Sequence, residues 1–127
     1  MKKLVVAIFE DDEINRFIYQ NLLESSHGRI EVHLFDSPEA GYEAARNVDF
    51  DFVFIEMHFW GQLFFGTTIL QKLKALSRVD FISVAVTSLL QEGDMDRATR
   101  SGFTLCMEKP LSFESIRKIK ETLSPAK

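Results

Sequence analysis

Four stretches of the chain carry side chains able to do chemistry, and each follows a short apolar segment. Glu10-Asp11-Asp12-Glu13 follow Leu4–Phe9, Glu56 follows Phe52–Ile55, Thr87-Ser88 follow Phe81–Val86, and Lys109-Pro110 follow Leu105–Met107. Gathered in one place, they form a cleft of carboxylates and hydroxyls with one ammonium. Crowded carboxylates repel one another unless a cation enters or one of them is protonated. Hard oxygen ligands favour Mg²⁺ as that cation, with Lys109 as the internal alternative. Acids just after a strand also suit the start of a helix, where they favour the dipole, and Asp12 and Glu13 read that way.

The elements between these stretches decide whether they meet. Leu4–Phe9 is apolar throughout, as a strand buried on both faces is. Ile14, Phe17, Ile18 and Leu22 recur at helical spacing, in a helix that should end before His27-Gly28. Ile30, Val32 and Leu34 alternate with Glu31, His33 and Phe35, as in an edge strand. Ser37-Pro38 predicts a helix start reaching about Asn47. The remaining expectations are a strand at 52–55, a helix at about 67–76 and a strand at 81–86. They continue with a helix capped by Asp94 and closed by Gly102, a strand at 105–107, and a last helix capped by Ser112 with Ile116, Ile119 and Leu123 inward. Five βα units in alternation imply an α/β fold: a doubly wound, flavodoxin-like parallel sheet of order 2-1-3-4-5 with five helices. Function in such sheets sits at the carboxyl ends of the strands, which is where the four stretches fall.

Composition narrows the classes further. The 127 residues suit a single domain, 1–127, and 46% of them are hydrophobic, enough for one core. A net charge of −4 and the lack of a basic tail argue against direct nucleic-acid binding. Leu4–Phe9 is too short for a signal-peptide core or a membrane span, so a cytoplasmic protein is expected. The single cysteine, Cys106, excludes an intrachain disulfide. A flavin or nucleotide carrier would need a Gly- or Ser/Thr-rich phosphate loop after the first strand, where this chain has four acids.

The chain resembles the receiver domain of two-component response regulators over nearly its whole length. The resemblance is carried by Phe9-Glu10-Asp11-Asp12-Glu13-Ile14-Asn15-Arg16, Asp51-Phe52-Val53-Phe54-Ile55-Glu56, Val86-Thr87-Ser88, Glu92-Gly93-Asp94, and Gly102 followed by Lys109-Pro110. It implies that Glu10 and Asp11 match the acidic pair that holds Mg²⁺. It also implies that Thr87 and Lys109 match the residues gripping the phosphoryl group, and that a histidine kinase or a downstream effector is the partner.

Three departures from the family pattern bear on function. Glu56 stands where the family has its phosphorylated aspartate, its carboxylate about 1.5 Å further from the backbone. In-line phosphotransfer is sensitive to such a displacement. The longer side chain instead reaches Lys109 or Thr87 and imitates a phosphorylated aspartate, or the site has decayed. The alternative is a phosphoacceptor Glu56 that still uses Mg²⁺, the metal shared by Glu10, Asp11 and Glu56. The loop Phe59-Trp60-Gly61-Gln62-Leu63-Phe64-Phe65 is two residues longer than the family's and lacks its proline. Each of its five large apolar side chains favours burial by roughly 1.5–3 kcal/mol. They either fold back against the domain or make a docking patch of Phe59, Trp60, Phe64 and Phe65 for a partner or a second copy in a homodimer. Cys106 stands where the family carries a switching aromatic, and it reads as a small core residue with no ring to swing. His58 reads as a solvent-facing loop residue. Arg97, Arg100, Arg117, Lys118 and Lys120 offer charge to an acidic partner or simply make a solvated face. The expected function is that of an atypical, non-enzymatic receiver acting by protein–protein interaction.

Overall fold

In a computed structural model of the chain, β1 (Leu4–Phe9), β2 (Ile30–Phe35), β3 (Phe52–Glu56), β4 (Ile82–Thr87) and β5 (Leu105–Glu108) form one parallel sheet. Its order is β2-β1-β3-β4-β5. The helices are α1 (Glu13–Glu24), α2 (Pro38–Ala45), α3 (Phe65–Leu76), α4 (Asp94–Arg100) and α5 (Phe113–Leu123), with a 3-10 turn at Phe59–Gly61. The structure describes residues 3–25 and 29–123, without the side chains of Lys120, Thr122 and Leu123. The expectations for His27-Gly28 and for the inward Leu123 lie outside the described residues.

Alternation along the strands divides the core in two. Ala7, Phe9, Val53, Ile55, Ala85 and Cys106 face α2, α3 and α4, where Ala45, Ile69, Leu70, Leu73 and Ala98 meet them. Val6, Ile8, Phe52, Phe54, Val84, Val86 and Met107 face Tyr19, Leu22 and Leu23 of α1 and Ile116 and Ile119 of α5. Helices on both faces are what parallel crossovers produce. The sheet and its order are those expected.

The helix limits differ where a turn outweighs a capping preference. Asp94 is the first residue of α4, while Gly93, at φ 89, occupies the cap. The Asp94 carboxylate accepts the Gln91 N–H at 2.8 Å and closes the preceding turn instead. α3 begins at Phe65, ahead of the expected Thr67, because Phe64 turns the chain in the left-handed region at φ 59.

α1 shows a sharper difference. Of the Ile14-Phe17-Ile18-Leu22 stripe that signals the helix, only Leu22 is buried: Ile14 is 69% and Phe17 67% exposed. Tyr19, Leu22 and Leu23 face the core, and Tyr19 sets its ring edge-on to Phe54 at 5.9 Å. Arg16 contributes to this rotation by donating from Nη1 to the Glu10 carbonyl at 2.9 Å.

Candidate functional site

Glu10 is the residue after β1, Glu56 and Thr87 end β3 and β4, and Lys109 follows β5. The parallel register brings these ends together. Glu56 lies opposite Val86, Thr87 lies opposite Glu108, and the Lys109 N–H donates to the Thr87 carbonyl at 2.8 Å. The Lys109–Pro110 peptide is cis.

The Lys109 ammonium lies between two carboxylates. Its Nζ is 2.6 Å from Glu10 Oε1 and in direct contact with Glu56 Oε1. Glu10 is 1% and Glu56 6% exposed. Each acid commits its second oxygen to a backbone amide two residues on. Glu10 Oε2 accepts the Asp12 N–H at 3.1 Å, and Glu56 Oε2 accepts the His58 N–H at 2.9 Å. Among the described residues Glu10 Oε1 has no partner in hydrogen-bond geometry, so its neutralisation rests on ion pairing with the ammonium.

The electrostatics follow from this burial. Desolvation pushes the Glu10 carboxyl above its ordinary range, although Lys109 and the Asp12 amide pull it down. Burial alone would depress the Lys109 ammonium, but the two carboxylates outweigh it and hold its pKa above the ordinary lysine value. Two buried acids share this one base. Burial, and secondarily the charges of Glu10 and Glu56, lift the Tyr19 phenol well above its usual value.

Asp11 takes no part in this cluster. It is exposed, and its Oδ2 accepts the Trp60 N–H at 3.0 Å. The expected Mg²⁺ set of Glu10, Asp11 and Glu56 is therefore not assembled. Among the described residues no three His, Cys, Asp or Glu side chains are grouped to hold a metal ion. The residues present do not fit a divalent cation in this arrangement, because the Lys109 ammonium stands where the two glutamates converge. Thr87 is buried as a site residue would be, but its hydroxyl exchanges long contacts of 3.4 Å with the Leu89 backbone, not with Glu56. Asp12 caps α1, accepting the Asn15 N–H at 2.8 Å.

The lengthened loop divides its apolar residues. Phe59 is fully buried against the α3 side of the sheet, so of the two alternatives it folds back against the domain and offers no docking surface to a partner. Phe64 and Phe65 are half-buried, while Trp60 is 47% and Leu63 74% exposed. Trp60 stacks on Phe65 at 6.0 Å. Trp60 and Phe64 both take the left-handed conformation at φ 59, which costs a bulky side chain energy that its contacts must offset.

His58 supplies one of those contacts, and the expectation that it faces solvent is corrected. Its Nδ1 accepts the Phe64 N–H at 2.9 Å, which places the proton of the neutral ring on Nε2. Its ring meets Phe64 edge-on at 5.0 Å, and the Arg97 guanidinium of α4 lies 4.1 Å from the Phe64 ring centre. Glu56, His58, Phe64 and Arg97 thus form a continuous run from the sheet edge to α4. No sequence signal marked the bonds of His58, because its acceptor role depends on how the loop bends.

Cys106 is buried in the α3–α4 half of the core beside Phe103. Burial and, secondarily, the Asp94 charge raise its thiol to about 11. It is therefore a core residue without thiolate character at neutral pH. Of the bases noted in α5, Arg117 pairs within its own helix with Glu114 and with Glu121.

Solved structures share this architecture. A CheY-like receiver domain from Methylobacillus flagellatus superposes with a TM-score of 0.79 at 21% identity, over 96% of this chain and 99% of that one. The receiver domain of a DNA-binding response regulator from Colwellia psychrerythraea 34H gives 0.80 at 22% identity, over 96% and 99%. A response regulator from Burkholderia pseudomallei, solved with a phosphorylated aspartic acid, a calcium ion and citrate, gives 0.72 at 16% identity, over 97% and 75%. No curated protein matches the sequence. The sequence model of the response regulator receiver domain matches residues 6–121, nearly the full length of the described fold, and the chain belongs to that family of two-component signalling domains.

Proposed function

We propose that this chain is an atypical receiver that signals by binding another protein, with Glu56 in place of the phosphorylated aspartate and without kinase-driven phosphorylation. Receiver domains are generally non-enzymatic signalling modules that bind Mg²⁺ at the phosphorylation site and interact with histidine kinases and effectors. The Burkholderia relative carries its phosphoryl group on an aspartic acid. The observation that supports the present reading is the occupancy of Glu56. One of its oxygens contacts Lys109 and the other accepts the His58 N–H, so neither is free to attack phosphorus without breaking a buried contact. The pair with Lys109 would hold the site in one conformation, and in the cytoplasm a histidine kinase or effector would read that surface.

The second reading keeps Glu56 as a Mg²⁺-dependent phosphoacceptor, favoured by its position at the carboxyl end of β3. Incubation with a small phosphodonor and Mg²⁺, followed by intact mass, separates the two. No mass gain is expected. A gain of one phosphoryl group that vanishes in Glu56→Gln would establish the second reading and remove the first.

A further inference from the structure

We infer that Lys109 is the resident cation of this site, and that a divalent ion gains the Glu10–Glu56 pair only when the Lys109 ammonium is withdrawn. The inference rests on the reading of Glu56 as an ion-paired group and goes beyond it by naming what neutralises the site.

Two carboxylates this deeply buried need a counter-charge, and the chain supplies one. Lys109 is itself only 10% exposed at its side chain, and its Nζ reaches one oxygen of each acid. The other two oxygens take backbone N–H groups, at Asp12 and His58. All four carboxylate oxygens thus have partners from within the chain. The dependence is plain at Glu10 Oε1, which is buried, lies 2.6 Å from the ammonium and has no other partner among the described residues.

A divalent ion would have to undo this arrangement. Mg²⁺ demands oxygens in near-octahedral geometry at about 2.0–2.1 Å and gives up its waters reluctantly. To enter, it must expel the ammonium from between Glu10 and Glu56. To recruit Asp11 as a third carboxylate, it must also release the Trp60 N–H, which helps to hold Trp60 in its left-handed conformation. Once the ammonium is gone, the balance reverses. Two like-charged oxygens then point at one buried spot, and a divalent cation is the species that relieves them.

The test is a Mg²⁺ titration through the millimolar range at constant ionic strength, read by Trp60 emission and by the thermal midpoint, without any phosphodonor. Wild type and Lys109→Arg are expected to stay flat in both. Lys109→Met is expected to show a lowered midpoint in metal-free buffer, a saturable Mg²⁺-dependent recovery of several degrees, and a matching change in Trp60 emission. EDTA and the double variant Glu56→Gln/Lys109→Met should abolish that response. A saturable response of the wild type would overturn the inference whatever the variants do. So would a Lys109→Met protein that folds but stays flat, or that stays unfolded with and without Mg²⁺. The reading of Glu56 as unphosphorylated fails separately, since a phosphoryl mass gain is measured on wild type alone.

Discussion

Asp11 and Trp60 stand 49 positions apart, yet the Asp11 carboxylate accepts the Trp60 N–H at 3.0 Å and ties the β1–α1 loop to the loop after β3. The bond takes an acid that its neighbours mark as a cation ligand and makes it a strap. It also stabilises a tryptophan held at φ 59, a conformation open to few bulky residues. Asp11→Ala should therefore free the loop, with a red shift of Trp60 emission and a stability loss of about 1 kcal/mol. Unchanged emission would show that other contacts hold Trp60.

The divided loop gives a second expectation. Phe59 is completely buried, whereas Leu63 is 74% exposed, although both are large apolar residues of the same loop. Phe59→Ala should cost about 3–5 kcal/mol through the cavity it leaves. Leu63→Ala should stay within about 0.5 kcal/mol. Denaturant unfolding of the two variants checks this, and similar losses in both would mean that Leu63 is also packed in solution.

Two glycines are set by close approach. A Cβ at Gly41 would stand 2.1 Å from the Phe9 ring, and one at Gly66 would stand 2.7 Å from the Glu56 carbonyl oxygen and 3.0 Å from Met57 Cα. Both Ala variants should lose about 1–3 kcal/mol by overpacking. Only Gly66→Ala should also perturb Trp60 emission, because it displaces the backbone that carries Glu56. A tryptophan signal equally altered in Gly41→Ala would refute that distinction.

The alkaline limit of stability should carry a Cys106 component. Its thiol rises from an ordinary 9 to about 11 in the fold, chiefly through burial. Between these values the folded chain keeps a proton that the unfolded chain has released. The contribution is therefore complete below pH 9 and lost as pH passes 11, with a span of at most about 3 kcal/mol. Lys109, also raised, acts with the same sign at the alkaline end. Stability measured by denaturant from pH 8 to 11 should fall less steeply in Cys106→Ala than in wild type. Parallel slopes would remove Cys106 from the account.

Much of the architecture was legible in the residue pattern alone. Apolar runs of strand length, separated by amphipathic stretches, determined the five βα units. The alternation implied a parallel sheet between helices, and the edge-like second strand beside the apolar first, third and fourth strands fitted the order 2-1-3-4-5. That order was sufficient to place Glu10, Glu56, Thr87 and Lys109 at one edge, since each follows or ends a strand.

What the sequence left open was which of those groups touch. Periodicity marked α1 but did not orient it, because Ile14, Phe17 and Ile18 are as apolar as the residues it buries, and packing of Tyr19 on Phe54 settled the rotation. Acid type alone did not separate Glu10 from Asp11: one turns inward to Lys109 and the other outward to Trp60. The role of His58 depended on a loop bend made by two left-handed residues that are not glycine. Spacing along a chain determines which strand end a residue reaches. Side-chain direction, set by neighbours far away in sequence, decides whether a carboxylate there meets an ammonium, an amide or water.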